Sequence, residues 1–185
     1  MPKTILVKNI TSLSEARYCS GMLVDYISFD LNPESADYIE LKEFEEIKNW
    51  LSGVKILGSY HTEDIFKIIE ALNLYKLDGF IFDETQKSLI EDLDSATKIL
   101  EIENVENFES NLNVNFIILK NNKKNELVQQ WTNEYNVLLG YEFENIDVQI
   151  KELAGYAFKG SKEVRPGINN YDGLMEALEK LEDFN

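Results

Sequence analysis

The 185-residue chain contains only one cysteine, one histidine and three prolines. The single cysteine, Cys19, excludes an internal disulfide, so we expect a reducing compartment. A membrane-spanning helix needs about 20 consecutive apolar residues, and no run here approaches that length. The opening residues also lack a signal-peptide pattern, so we expect a cytoplasmic protein. No His, Cys or Asp cluster has the spacing of metal ligands, and we expect neither a metal nor a cofactor.

Basic residues are scarce as well. Lys and Arg number 18 against 34 Asp and Glu, which gives a net charge of −16. Such a field repels nucleic acid and anionic membranes, so neither is expected as a partner. The acidic residues are spread along the chain, as on a solvated surface, and a hydrophobic content of 44% is typical of a globular protein. Without an internal linker, residues 1–185 are predicted to form a single domain.

Short apolar runs alternate with helical patterns along the whole chain. Strands that alternate with helices in one domain indicate an α/β protein with a parallel sheet. Eight such runs favour closure into a (β/α)8 TIM barrel, and an open doubly wound sheet is the alternative. The runs are residues 4–10, 26–31, 55–60, 79–82, 98–102, 115–119, 137–141 and 156–158.

Helical periodicity is clearest in two segments. Apolar residues recur at i, i+3, i+4 and i+7 within 62–73, beginning from a Thr62 cap, and again in the last helix. Segments 41–51, 126–134 and 148–153 are further candidates, whereas 86–94 and 105–110 are short and weak. Because this barrel type usually needs about 250 residues, we expect a compact version with shortened helices in the fourth and fifth units. The two stripes are Ile65, Ile68, Ile69, Leu72 and Leu174, Ala177, Leu178, Leu181.

A glycine-containing turn follows the last apolar run, in the stretch Lys159-Gly-Ser-Lys-Glu-Val-Arg-Pro-Gly167. A strand that opens into a Gly/Ser turn before an amphipathic helix can expose backbone N–H groups, and α/β barrels hold phosphate on such loops. The alternative is that these glycines only shape the turn between strand and helix.

The two ends of the chain resemble the same protein family. The stretches Thr11-Ser-Leu-Ser-Glu-Ala-Arg17, Asp25-Tyr-Ile-Ser-Phe29 and Asn32-Pro-Glu-Ser-Ala-Asp-Tyr-Ile39 resemble the opening of phosphoribosylanthranilate isomerase, with its I-T-x-x-E-D-A, A-D-x-x-G-F-x-F and Y-P-x-S-P-R-Y-V. Near the end, Gly160-Ser-Lys-Glu-Val-Arg-Pro-Gly167 resembles the family's S-G-V-E-x-x-P-G. The match covers about the first 40 and last 30 residues.

The resemblance implies an Amadori rearrangement in tryptophan biosynthesis, which turns an aminoaldose phosphate into an aminoketose phosphate. The family's catalytic Cys and Asp align here with Lys8 and Lys120. Its substrate-binding Arg and its strand-4 His align with Asp37 and Asp83. The resemblance further places a phosphate site at Gly140, Gly160 and Ser161, with Tyr141 where the family has a second glycine.

These substitutions change the chemistry. A lysine with an ordinary pKa of about 10.4 is a charged acid near neutral pH and cannot replace a thiolate base. An Asp in place of an Arg repels the carboxylate of the family's substrate. Two lysines also do not provide one general base and one general acid with different pKa values, as the reaction requires. We therefore expect a phosphoribosylanthranilate isomerase-like barrel without the ordinary isomerase activity.

Several alternatives stay open for the two lysines. They can pair with acids, Lys8 with Asp30 and Lys120 with Glu101 or Glu103, and close an inert barrel mouth. They can instead bind a small phosphorylated metabolite or another anion, or act through a Schiff base on another sugar phosphate. An active isomerase with relocated catalytic groups also remains, and we expect a monomer or a homodimer. His61, which follows the third strand, is a weaker candidate for a site residue.

Overall fold

Eight parallel strands close into a barrel in the order β1 to β8. The computed structural model describes residues 3–94, 96–120, 125–141, 152–160, 163–165, 168–169 and 172–182. Strand β8 pairs with β1, which closes the ring and confirms the predicted (β/α)8 TIM barrel over the open sheet. The strands are β1 Thr4–Lys8, β2 Tyr26–Asp30, β3 Lys55–Ser59, β4 Gly79–Phe82, β5 Thr97–Ile102, β6 Phe116–Leu119, β7 Val137–Gly140 and β8 Gly155–Lys159.

The helices between the strands are short, and those of the middle units are reduced furthest. Among the described residues, the one helix between β4 and β5 is a 3-10 helix at Glu84–Leu89, and those between β5 and β6 form no helix, which confirms the expected shortening. The predicted helix at 148–153 falls mostly outside the described residues. No described helix has the length and apolar character needed to span a membrane. The helices are α1 Leu13–Gly21, α2 Leu41–Lys48, α3 Ile65–Tyr75, α4 Asn125–Thr132 and α5 Asp172–Glu182.

Helix α3 begins later than its sequence pattern predicts. Asp64, not Thr62, is the N-cap, and its carboxylate accepts the N–H of Phe66 at 2.9 Å. The Thr62 hydroxyl instead accepts the N–H of Asp64 at 3.2 Å and forms a turn before the helix. The prediction of a Thr62 cap was therefore wrong, because the later Asp, a stronger cap than Thr, lies two residues nearer the apolar stripe.

The barrel interior is filled by one apolar side chain from each strand. Side chains alternate between the two faces of a strand, so residues two positions further along point inward at the carboxyl-terminal mouth. At that level the apolar set gives way to polar and charged residues, among them Lys8, Ser59, Glu101 and Lys120. The apolar set is Leu6, Tyr26, Leu57, Ile81, Ile99, Ile118, Leu138 and Ala157.

A small hairpin lies between the barrel and its last helix. Strands β9 Glu163–Arg165 and β10 Ile168–Asn169 pair antiparallel, where the sequence pattern predicts only a loop. The Pro-Gly pair between them in sequence is a turn signal that serves a hairpin as well as a strand-to-helix loop. In α5, all four apolar stripe residues, Leu174 to Leu181, are buried, as the periodicity predicts.

Two glycines provide a matched test of how closely the strands pack. A Cβ on Gly155 would lie 1.8 Å from the carbonyl oxygen of Thr4, whereas a Cβ on Gly21, at the end of α1, would meet nothing within 4 Å. We expect Gly155→Ala to lower the free energy of unfolding by about 3 kcal/mol or more. Gly21→Ala should be neutral or raise it by about 0.5–1 kcal/mol. Urea unfolding followed by circular dichroism measures both, and equal effects would contradict this packing.

Candidate functional site

The buried carboxylate of Glu101 joins three strands other than its own at the barrel mouth. Its Oε2 atom accepts hydrogen bonds from the Lys8 ammonium group and from the Tyr141 hydroxyl, the latter at 3.0 Å. Its Oε1 atom forms an ion pair with Lys120. The Glu101 side chain is only 5% exposed, while those of Lys8 and Lys120 are 18% and 33% exposed. The carboxylate thus has a donor on each oxygen.

The charges of this cluster stabilise one another. Burial works to raise the pKa of Glu101, but the neighbouring Lys8 and Lys120 outweigh burial, and the pKa is lowered. For Lys120, burial works to lower the pKa, but Glu101 outweighs it and the pKa is raised. At neutral pH the carboxylate is therefore ionised and Lys120 remains an ammonium ion.

The predicted ion pairs are half right. Lys120 pairs with Glu101 as predicted, but Lys8 pairs with Glu101 and not with Asp30. The Oδ1 atom of Asp30 accepts the N–H of Asn32 at 2.9 Å within its own loop, while Glu101 reaches Lys8 across the mouth. A Schiff base requires a lysine that loses its proton, and the raised pKa of Lys120 opposes that at this residue.

Tyr141 packs inside the mouth directly after β7, next to Glu101. Its backbone lies in the left-handed region at φ 74°, where glycine is favoured, and its ring packs against the interior apolar set. Its N–H donates to the carbonyl of Ala157 at 3.0 Å. Burial, and then the negative charge of Glu101, raise the pKa of Tyr141 well above its usual value, so the hydroxyl remains a donor.

The candidate phosphate glycines lie against atoms of the protein itself. A Cβ on Gly140 would lie 2.8 Å from a methyl group of Ile118, and one on Gly160 would lie 2.8 Å from the carbonyl oxygen of Asn9. The N–H of Gly160 donates to the carbonyl of Lys8 at 2.6 Å. Close packing thus accounts for both glycines, and Ser161 lies outside the described residues. Phosphate binding at these three residues stays a prediction.

Asp37, aligned with the family's substrate-binding Arg, is tied into the loop after β2. Its Oδ2 atom accepts a hydrogen bond from the side-chain amide of Asn9 at 3.0 Å, and its N–H donates to the Ser35 hydroxyl at 3.2 Å. The residue is only 9% exposed. Asp37 therefore serves the packing of the loop in this structure.

Asp83 lies directly after β4 and caps the 3-10 helix. Its Oδ1 atom accepts the N–H of Thr85 at 2.8 Å, and its Oδ2 atom lies 2.7 Å from Nδ1 of His61. Burial works to raise the pKa of Asp83, but the hydrogen bonds from Thr85 and His61 outweigh it and the pKa is lowered. The structure thus pairs a predicted site residue with the weaker candidate, His61.

A cavity of about 190 Å³ opens at the carboxyl ends of β1 to β5. Its described lining includes the Asp30, Asp83 and Glu101 carboxylates but only one ammonium group, that of Lys8. Of the other predicted site residues, Asp37, Lys120, Gly140 and Gly160 are not part of this lining. No described group of three or more His, Cys, Asp or Glu side chains is arranged to hold a metal ion.

Sequence reasoning missed the central place of Glu101 and the contribution of Gln86. Glu101 interrupts the apolar run of β5 two residues after the interior Ile99, and that alternation alone places its side chain inside the mouth. Gln86 carries a different signal, the capping-box spacing Asp83-x-x-Gln86, which predicts its contact with Asp83 but not its contacts with the loop after β3.

Comparison with known proteins identifies the fold. No family model and no curated protein sequence matches the chain. Among solved structures, phosphoribosylanthranilate isomerase from Thermotoga maritima matches with a TM-score of 0.77 at 20% identity, covering 98% of this chain and 99% of that one. A structure of the isomerase with reduced 1-(o-carboxyphenylamino)-1-deoxyribulose 5-phosphate scores 0.78 at 20% identity over 98% and 99%. The Thermus thermophilus isomerase scores 0.75 at 15% over 98% and 100%. The chain therefore has the phosphoribosylanthranilate isomerase fold.

Removing the Glu101 charge tests the cluster at the mouth. Glu101→Gln leaves two ammonium groups without their shared carboxylate, and we expect the free energy of unfolding to fall by about 2–3 kcal/mol. Glu70→Gln, an exposed carboxylate on helix α3, is the matched control and should change it by less than about 0.5 kcal/mol. Urea unfolding at neutral pH measures both, and equal effects would contradict the central role of Glu101.

The effect of Glu101→Gln on the free energy of unfolding should also depend on pH. Because the folded pKa of Glu101 is lowered, its contribution is present above the unfolded value of about 4.3 and is lost as pH falls through the folded pKa. Because the folded pKa of Lys120 is raised, its contribution is present below about 10.4 and is lost as pH rises through the folded pKa. The difference in unfolding free energy between wild type and Glu101→Gln should therefore be largest between these values. A difference that stays constant from acid to alkaline pH would contradict this.

Proposed function

We propose that this protein is a divergent phosphoribosylanthranilate isomerase-like barrel that does not catalyse the ordinary Amadori rearrangement. The observation that carries the proposal is the pairing of Lys8 and Lys120 with one buried carboxylate, Glu101. These lysines occupy the positions that the family resemblance assigns to its base and its acid.

The required proton transfers argue for this assignment. The rearrangement needs a general base at C2 and a general acid at the ribose ring. An ammonium group has no lone pair with which to accept the first proton, and the side-chain nitrogen of Lys8 already donates to the Glu101 carboxylate. A general acid works best with a pKa near the operating pH, and the raised pKa of Lys120 moves it away from that range.

The substrate-binding positions support the same proposal. The family's substrate carries a carboxylate, whereas the aligned Asp37 is an acidic residue whose Oδ2 atom accepts a hydrogen bond from Asn9. At the other end of the mouth, Tyr141 and Gly160 donate their N–H groups to carbonyls of the barrel. A phosphate would therefore find neither of these two groups free.

A second candidate is the binding of a small phosphorylated metabolite or another anion at the rim. Lys159 favours it, because this lysine ends β8 next to Gly160 and its side chain is exposed. This binding stays a prediction, as do the cytoplasmic location, the single domain and the monomeric or homodimeric state.

A genetic test addresses the main proposal. We expect the chain to fail to restore growth of a tryptophan auxotroph that lacks the isomerase, while the Thermotoga maritima isomerase restores it. In a direct assay, turnover should lie at least about 10⁴-fold below that of the Thermotoga enzyme, since both acid and base are lost. Circular dichroism of the purified protein controls for folding. Growth of the auxotroph would overturn the proposal.

A further inference from the structure

The only histidine in the chain is held in one orientation beside the cavity. His61 is 66% exposed, yet its Nδ1 atom lies 2.7 Å from Oδ2 of Asp83. The other oxygen of that carboxylate is held by the N–H and hydroxyl of Thr85. An exposed ring gains little stability from such a contact, so the arrangement does more for the orientation of His61 than for the fold.

A single buried side chain holds the two loops that carry this pair. Gln86 is 2% exposed, and its amide nitrogen donates to the carbonyls of Tyr60 and Thr62, at 2.9 and 2.8 Å. These are the residues on either side of His61. Its amide oxygen accepts the N–H of Asp83 at 3.2 Å. Gln86 thus positions the backbone on both sides of the His61–Asp83 contact.

The contact assigns different roles to the two ring nitrogens. A carboxylate can only accept, so the neutral imidazole carries its proton on Nδ1, where it donates to Asp83. Nε2 then carries the lone pair and can accept a hydrogen bond. His61 lines the same cavity as Ser35, Ser59 and Asn32.

The charge of the cavity indicates which ligands it takes. Asp30, Asp83 and Glu101 line it, and the lysine in its described lining, Lys8, is already paired with Glu101. Such walls oppose a phosphate dianion. Hydroxyl, amide and imidazole groups together match an uncharged ligand with several hydroxyl groups.

We propose that this cavity binds a small, uncharged, polyhydroxylated ligand, and that Nε2 of His61 accepts one of its hydroxyl groups. Asp83 and Gln86 are positioning residues for His61. The cavity includes the aligned Lys8 and Asp83, but Lys120, Gly140 and Gly160 are not part of its described lining, and its ligand carries no phosphate. It does not depend on whether isomerase activity is present.

The first test measures the tautomer of His61. With one histidine in the chain, long-range ¹H–¹⁵N correlation spectra contain a single imidazole. In the neutral ring we expect the proton on Nδ1. Asp83→Asn and Gln86→Ala should shift the population towards the Nε2–H form, and the matched control Asp92→Asn, an exposed carboxylate outside the cavity, should not. A wild-type ring protonated on Nε2 would overturn the proposal.

The second test measures binding. We expect D-ribose, added as the probe, to shift the imidazole signals of His61 and the amide signals of Ser59. D-ribose 5-phosphate and inorganic phosphate should bind at least about tenfold more weakly. His61→Gln should weaken ribose binding by about tenfold, followed at Ser59, with Asp92→Asn unchanged. No shift with ribose, or tighter binding of either phosphate, would overturn the proposal whatever the outcome of the auxotroph test.

Discussion

The Glu101 carboxylate accepts from Lys8, Lys120 and Tyr141, and so ties the ends of β1, β5, β6 and β7 together. Two ammonium groups at this level of a narrow barrel would repel each other without it. Its burial is tolerated because each of its oxygens has a charged donor. The state of the mouth, and with it the chemistry open to the two lysines, depends on this one side chain.

The mouth has two different sides. On one side, Tyr141, Gly140 and Gly160 pack against atoms of the barrel. On the other, a cavity opens between β1 and β5, with His61 and Asp83 on its wall. The fold is shared with enzymes that act on a phosphorylated substrate, but a fold does not determine function, which depends on the residues of the site.

Much of this architecture was predictable from the sequence, while the contacts of the site were predictable only in part. The alternation of apolar runs and helical stripes predicted the barrel. The chain is shorter than the about 250 residues usual for this fold, and with the weak helical patterns of the fourth and fifth units this predicted their reduction. The pairing of Lys120 with Glu101 followed from neighbouring strands. The partner of Lys8 did not, because β1 and β5 are not neighbours and their side chains meet only across the barrel.

The sequence by itself determined the strands, the inward-facing positions at the mouth, and the presence of Lys8, Lys120 and Asp37 where the family that it resembles is expected to have Cys, Asp and Arg. Local patterns suffice for these features, because strand periodicity and residue type are properties of short segments. Only the tertiary structure decided that one carboxylate serves two lysines, and that Gln86 bonds the backbone on both sides of His61 while His61 meets Asp83. Those contacts join loops and strands far apart in the chain, and closure of the barrel brings them together.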